Sequence, residues 1–343
     1  MTVLLNTLYV TTPEAYLRLE GETVCVMIED QKRLQVPLHH LGGFVLFDAM
    51  LSPALLGRCA ADGRSVVWLD RSGRFRARVE GPVSGNILLR QAQYRAADDA
   101  GRSLVLARFM VAGKLRNSRQ VLMRGARETD DAAEREALAR AARHIASQIL
   151  KLPAVDDLDR LRGFEGEAAS IYFGAVPLLM KGAAREAFPF AKRSRRPPPD
   201  RFNALLSFLY ALVLADCRTA LESVGLDPQL GFLHEVRPGR PALALDLLEE
   251  FRAPLCDRLA LTLVNRGQLQ AKDFDAREGG AVLLNDAGRK AVIAAYQERK
   301  QETLRHPVLD SEVPIGLLPQ VQARLLARHL RGDVAHYVPF LSR

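Results

Sequence analysis

The first eighty or so positions carry the hydrophobic pattern of short strands, and then the rhythm changes. In "AYLRLEGETVCVMI" two alternating runs flank a glycine, the pattern of two strands joined by a turn. "RLQVPL", "GFVLFD", "SVVWLD" and "RFRARVE" predict further short strands, with "SPALLGRCAADG" a helix between two of them. "EGPVSGN" gathers Gly, Pro, Ser and Asn and reads as a linker. Beyond it apolar residues recur three and four apart in "NILLRQAQYRAADD", "SLVLARFMVAGKLRNSRQVLMRGA" and "DDAAEREALARAARHIASQILKL", the period of helices. Thr129, Asp130 and the acidic residues after them suit the start of the third helix. Further helices are predicted at about 165–181, 200–224, 241–266 and 285–302, with "FDAREGGAVLL" a late hairpin. The expectation is an α+β fold: a small N-terminal β-rich domain over 1–80, a linker over 81–86, and a larger all-α domain over 87–343.

Composition narrows the class. The chain is 48% apolar and 26% charged, ordinary for a soluble globular protein. Its net charge of +8 comes mostly from arginine and suggests a polyanionic partner, nucleic acid above all. Cys25, Cys59, Cys217 and Cys256 share no C-x-x-C spacing and sit in apolar surroundings, which speaks against a thiolate zinc site and fits a reducing cytoplasm. The start "MTVLLNTLYVTT" does not look like a signal peptide, and the apolar run "FLYALVLA" falls short of the ~20 residues that span a bilayer. No P-loop, Rossmann glycine run, nucleophile elbow or zinc finger is present.

The candidate chemistry centres on "GFLHEVRPGRPALALDLLEEF". On a helix starting near Pro241, Asp246, Glu249 and Glu250 share one stripe, and Leu247, Leu248, Phe251 and Leu255 form the opposite one. The stripe is open to two readings: the wet face of an amphipathic helix, or carboxylates that join His234 in holding a metal. Upstream, "LRGFEGEAASIYF" offers Glu165 and Glu167 where a glycine-punctuated turn enters a helix. Either could be a ligand or a capping residue. Lys114 and Arg116 on the long helix, Arg195 and Arg196 in "AKRSRRPPPDR", and Arg252 beyond the acidic run are candidates for gripping a nucleic-acid backbone. A solvated basic face is the alternative.

"GFEGEAASIYF", "RRPPPDRFNALLSFLYAL" and "GFLHEVRPGRPALALDLLEEFR", in that order, resemble the CRISPR-associated integrase family. Its members are the larger of two near-universal spacer-acquisition proteins and are metal-dependent DNA endonucleases. "AGKLRNSRQVLMR" and "DRLALTLVNRGQL" are also similar, and the ending "RHPVLDSEVPIGLLPQVQARLLARHLRGDVAHYVPF" resembles the type I-C form. The resemblance covers essentially the whole chain. It implies that Glu165, His234 and Glu249 are catalytic and hold Mg2+ or Mn2+, with Asp246 supporting the site and Glu250 a bystander. It also implies insertion of foreign DNA fragments into a CRISPR array as new spacers. The implied partners are double-stranded DNA (prespacer and repeat), a second copy paired through the β-rich domain, and the smaller acquisition protein, in a heterohexamer. Gly267 departs from the family pattern, where a basic residue is expected. A non-catalytic DNA-binding scaffold, or a repair nuclease using the same site, are the rival functions.

Overall fold

The N-terminal stretch folds into two four-stranded sheets. In chain order the elements are β1 (Thr7–Val10), β2 (Tyr16–Glu20), β3 (Thr23–Ile28), β4 (Gln31–Pro37), β5 (Gly43–Phe47), β6 (Met50–Leu51), α1 (Pro53–Asp62), β7 (Ser65–Leu69) and β8 (Phe75–Val79). The computed structural model describes residues 6–71, 73–79, 81, 87–194 and 197–342. One sheet runs β4-β3-β2-β6, the other β1-β5-β7-β8. The hairpin expected around Gly21 is β2–β3, pairing Glu20 with Thr23. In the second sheet β1, β5 and β7 are parallel, and β8 closes antiparallel on β7.

Period two decides which core each side chain joins. Phe44, Leu46 and Val66 point between the sheets, with Leu17, Val24 and Leu55. Their neighbours Val45, Phe47, Val67 and Leu69 point the other way, into the core of the helical part. Strands apolar on both faces are what a doubly covered parallel sheet requires. The β-rich part thus has one core of its own and shares a second with the helices, where Phe47 stacks on Phe208 at a centroid distance of 6.1 Å.

The helical part comprises α2 (Ile87–Asp98), α3 (Ala100–Glu128), α4 (Ala132–Lys151), α5 (Leu158–Ala175), α6 (Ala183–Ala187), α7 (Arg201–Ser223), α8 (Ala242–Leu248), α9 (Arg258–Asn265), the hairpin β9 (Phe274–Ala276) and β10 (Val282–Leu284), α10 (Asp286–Gln301), a second hairpin β11 (Thr303–Arg305) and β12 (Glu312–Pro314), and α11 (Leu318–Arg331). Aspartates set the starts. Asp99, Asp131, Asp157 and Asp200 each accept from a backbone N–H of the first turn of α3, α4, α5 and α7. The cap of α4 is therefore Asp131 rather than Thr129 or Asp130. By length and composition α7 could cross a bilayer, but 72% of its apolar window is buried and the other helices pack around it.

Two expectations change. With Asp157 as its cap, α5 begins well before residue 165, so Glu165 lies inside the helix rather than at a turn. Gly163 and Gly166 lie inside the same helix, and a Cβ added at either would meet nothing within 4 Å. The helix expected over 241–266 is broken: α8 stops at Leu248, and a π-helical turn, Arg252–Asp257, precedes α9. Pro254 lies inside that turn and has no N–H to continue an α-helical ladder. The expected linker over 81–86 falls, apart from Gly81, outside the described residues.

Candidate active site

The loop before α8 is shaped by one buried carboxylate. Asp246, fully buried, accepts from the backbone N–H of Phe232 (2.6 Å), Leu233 (3.0 Å) and His234 (2.9 Å). Gly231 lets the loop come this close, because a Cβ there would lie 2.6 Å from Asp246 Oδ2. Arg162 of α5 donates to the Leu233 carbonyl at 3.0 Å and ties the loop to the helix that carries Glu165. The same Asp246 oxygen that takes the His234 amide sits 2.7 Å from His234 Nδ1. A carboxylate there selects the tautomer with the proton on Nδ1, which leaves the Nε2 lone pair facing the cleft.

Glu249 stands at the end of α8 and is almost fully buried. Its Oε1 lies 3.7 Å from His234 Nε2 and 3.1 Å from Arg252 Nε. Lys114, reaching in from α3, pairs with Glu165 and approaches Glu249 Oε2 to 2.7 Å. Burial alone would raise the Glu249 pKa, but Arg252, Lys114 and His234 outweigh it and bring the carboxyl down to about 2. Burial opposes the charge on Lys114, yet Glu249 and Glu165 hold its pKa above the usual lysine value. The site is a largely buried cluster of charges at the edge of a cleft of about 610 Å³, lined also by Tyr172, Arg193, Tyr210 and Asp257.

Among the described residues no three His, Cys, Asp or Glu side chains gather tightly enough to enclose a metal. Glu165 and Glu249 meet at the Lys114 ammonium instead of at one another. The donor chemistry nevertheless suits a small divalent cation: two carboxylates and an imidazole nitrogen backed by a carboxylate. Glu249 Oε2 is buried without a hydrogen bond, because the nearby ammonium makes ion-pair contact outside hydrogen-bonding geometry.

The rest of the acidic stripe is not a wet face. Asp246, Glu249 and Glu250 are all buried, and Glu250 points into the interior. Burial raises the Glu250 pKa to about 7, against the hydrogen bonds it accepts from Tyr337, Phe340 N–H and Gln322. Glu167 is half-exposed and meets His144 Nε2 at 3.0 Å; it does not line the cleft. Lys114 and Arg252, expected to grip DNA from the surface, are turned onto the carboxylates. Arg116 is exposed on α3, and Arg195 and Arg196 lie outside the described residues. Gly267 has φ +66° just beyond α9, a left-handed position that a basic residue would strain to occupy.

Asp257, at the base of the cleft, is a residue that no motif points to. It accepts from Tyr210 Oη at 2.7 Å and Tyr172 Oη at 2.9 Å, and burial raises its pKa to about 6. The Arg252 and Arg193 guanidiniums lie 4.5 and 5.2 Å from the centre of the Tyr210 ring. The one sequence signal is a charge embedded among apolar residues, "FMVAGKLRN" for Lys114 and "PLCDRLAL" for Asp257.

A family model described as CRISPR associated protein Cas1 matches residues 8–298. The CRISPR-associated endonuclease Cas1 1 of Moorella thermoacetica is 55% identical over 344 residues, covering all of both chains. A casposase bound to an integration product has the same fold, with TM-score 0.82 at 21% identity over 97% of this chain and 92% of that one. A chain of a Cas6-RT-Cas1–Cas2 complex superposes with TM-score 0.82 at 22% identity, over 100% of this chain and 37% of that one.

Proposed function

The chain belongs to the Cas1 family of CRISPR-associated proteins, and we propose that it cuts and joins DNA by phosphoryl transfer in the cleft lined by Glu165, His234 and Glu249. The observation that carries this reading is the Asp246–His234 bond of 2.7 Å, which aims Nε2 toward a buried carboxylate oxygen 3.7 Å away. Glu165, His234 and Glu249 would hold Mg2+ or Mn2+, and a bound cation supplies polarisation of the scissile phosphate and stabilisation of the leaving oxygen. The chain's own side chains do the rest. Asp246 fixes the imidazole orientation and its tautomer. Lys114 and Arg252 keep positive charge beside the carboxylates in a site shielded from water, where charge acts most strongly on a phosphodiester. Arg193, bonded to Asn203 Oδ1 at 2.8 Å and Ser207 Oγ at 3.0 Å, is preset at the cleft wall for the DNA backbone.

The attacking group is the 3′-hydroxyl of a foreign fragment during spacer insertion, or water during cleavage. The β-rich part, residues 1–80, pairs two copies, and two such pairs clamp a dimer of the smaller acquisition protein in a heterohexamer acting in the cytoplasm. The subtype is I-C-like. A non-catalytic scaffold would require the carboxylates to be idle surface, and their burial speaks against it.

A strand-transfer assay on repeat-containing DNA, with a Mn2+ titration, tests the site. Glu165→Ala, His234→Ala and Glu249→Ala should each abolish transfer while most DNA affinity survives. Normal transfer by His234→Ala would overturn the assignment, and loss at Glu167→Ala but not at Glu165→Ala would move the ligand.

A further inference from the structure

Glu249 and Glu250 are adjacent, yet their side chains leave the chain in different directions, as consecutive helical positions about 100° apart must. Glu249 enters the cleft, and Glu250 enters the interior behind it. There the Glu250 carboxylate accepts from Tyr337 Oη, from Gln322 Nε2 at 2.8 Å and from the Phe340 N–H at 2.7 Å. No ion pair reaches Glu250 among the described residues. The Glu250 carbonyl accepts from Asn117 Nδ2 at 2.8 Å, and that amide also donates to the Phe340 carbonyl at 2.8 Å. Asn117 Oδ1 takes the Ser342 N–H at 2.9 Å. The network extends outward: Gln322 Oε1 lies 3.2 Å from His306 Nε2, and His306 Nδ1 accepts from the Val308 and Leu309 amides.

The backbone explains why such an anchor sits here. The regular ladder ends at Leu248, and the next amides bond only three residues back, Glu249 to Asp246 at 3.2 Å and Glu250 to Leu247 at 3.3 Å. Pro254 and the π-helical turn follow. The regular α-helical ladder therefore does not extend to Glu249 or Glu250. An apolar residue at 250 would fill the space with little directionality, whereas a buried carboxylate met by several donors is costly and admits few orientations.

We infer that Glu250 is a positioning residue: it fastens the end of α8 to the segment Tyr337–Ser342 and so sets the direction of the Glu249 carboxylate at the cation site. The inference rests on the cation-dependent reading above and adds the C-terminal segment to the apparatus of that site.

The test is Mn2+ binding to the full chain, read by electron paramagnetic resonance and independent of turnover. Tyr337→Phe and Glu250→Gln should weaken binding roughly 10-fold or more, as the loss of supporting contacts around metal ligands does. kcat should fall with little change in KM for DNA. Tyr337→Phe changes least in shape and keeps the test usable if Glu250→Gln folds poorly. Glu250→Gln combined with Gln322→Glu returns a carboxylate to the network next to Tyr337 and should recover part of the affinity. Binding within twofold of the parent in both single variants, whatever their thermal stability, overturns the inference and leaves Glu250 a purely structural group. Glu249→Ala separates the two levels: if it leaves Mn2+ binding intact, the cation site itself fails and the inference with it. If it abolishes binding while Tyr337→Phe does not weaken it, only the role of Glu250 fails.

Discussion

The sheet β1-β5-β7-β8 and the end of α8 are buried against the same helical body, but different forces hold them. On the sheet, Val45, Phe47, Val67 and Leu69 join the helical core through dispersion and the hydrophobic effect, Phe47 against Phe208 of α7, and apolar groups of similar size are tolerated best. At the end of α8, Asp246, Glu249 and Glu250 are equally buried, and each is satisfied differently. Asp246 uses backbone amides and an imidazole, Glu249 uses two cations, and Glu250 uses a tyrosine, a glutamine and an amide. Apolar burial forgives exchange and punishes cavities. Polar burial forgives little, because each lost partner leaves a group desolvated.

The largest effect on stability is therefore expected on the apolar side. Phe47→Ala removes a ring that is 2% exposed and stacked on Phe208, and should lower the unfolding free energy by about 3–5 kcal/mol in denaturant titrations. Mn2+ affinity of the folded protein should stay unchanged. A loss below about 1 kcal/mol would mean that the sheet does not share the helical core.

These two regions are unequally legible in the sequence. Alternation exposes β2 and β3, short apolar runs expose β5 and β7, and apolar spacing exposes α2, α3, α4, α7 and α10, because those elements bury much of their surface. The two-residue β6, the short β1 and the parallel pairing depend on neighbours distant in the chain. The boundaries of α5 and the break after α8 escape the pattern because Asp157 and Pro254 act on backbone hydrogen bonds, which hydrophobic period does not report. In the site, motif order singles out Glu165, His234 and Glu249, but not that Lys114 stands between two of them. Nor does a Glu-Glu pair reveal which member faces the cleft, because Glu250 finds its partners 72 to 90 residues away.

On the polar side, Asp246→Asn is nearly isosteric but puts an NH2 group among donors that need acceptors. It should cut Mn2+ affinity about 10- to 100-fold and slow strand transfer to match, with His234 itself still present. Equal affinity in the variant would show that the loop holds the imidazole without the carboxylate, and the contrast with the sheet would weaken.

Asp257 gives a smaller effect with a definite sign. Its folded pKa, about 6, lies above the ordinary aspartate value of 3.8, so the folded state holds this proton more tightly. That contribution to stability is complete below about pH 4 and is lost as pH rises through about 6. Asp257→Asn lacks it, so the variant should gain on the parent by roughly 2–3 kcal/mol between pH 4 and 7. Thermal unfolding of both proteins across that range measures it. Parallel Tm–pH curves would show that the tyrosine hydroxyls offset the effect of burial on this carboxyl.

The smallest effect comes from a carboxylate that belongs to neither region. Glu167 is two residues from Glu165 on the same helix, but its side chain is 52% exposed, and its partner His144 is 47% exposed. Solvent screens such a pair, and side-chain entropy opposes fixing it, so surface pairs contribute little. Glu167→Gln should change unfolding free energy by less than about 0.5 kcal/mol and strand transfer by less than twofold. Glu165→Gln would leave Lys114 with one carboxylate instead of two, inside a site where its charge cannot be dissipated into water. The two variants make the same single atom exchange on one helix, but Glu165 lines the cleft and pairs with the buried Lys114, and Glu167 does neither. A comparable loss of activity in both would mean that charge along α5, and not the enclosed arrangement around Lys114, governs the chemistry.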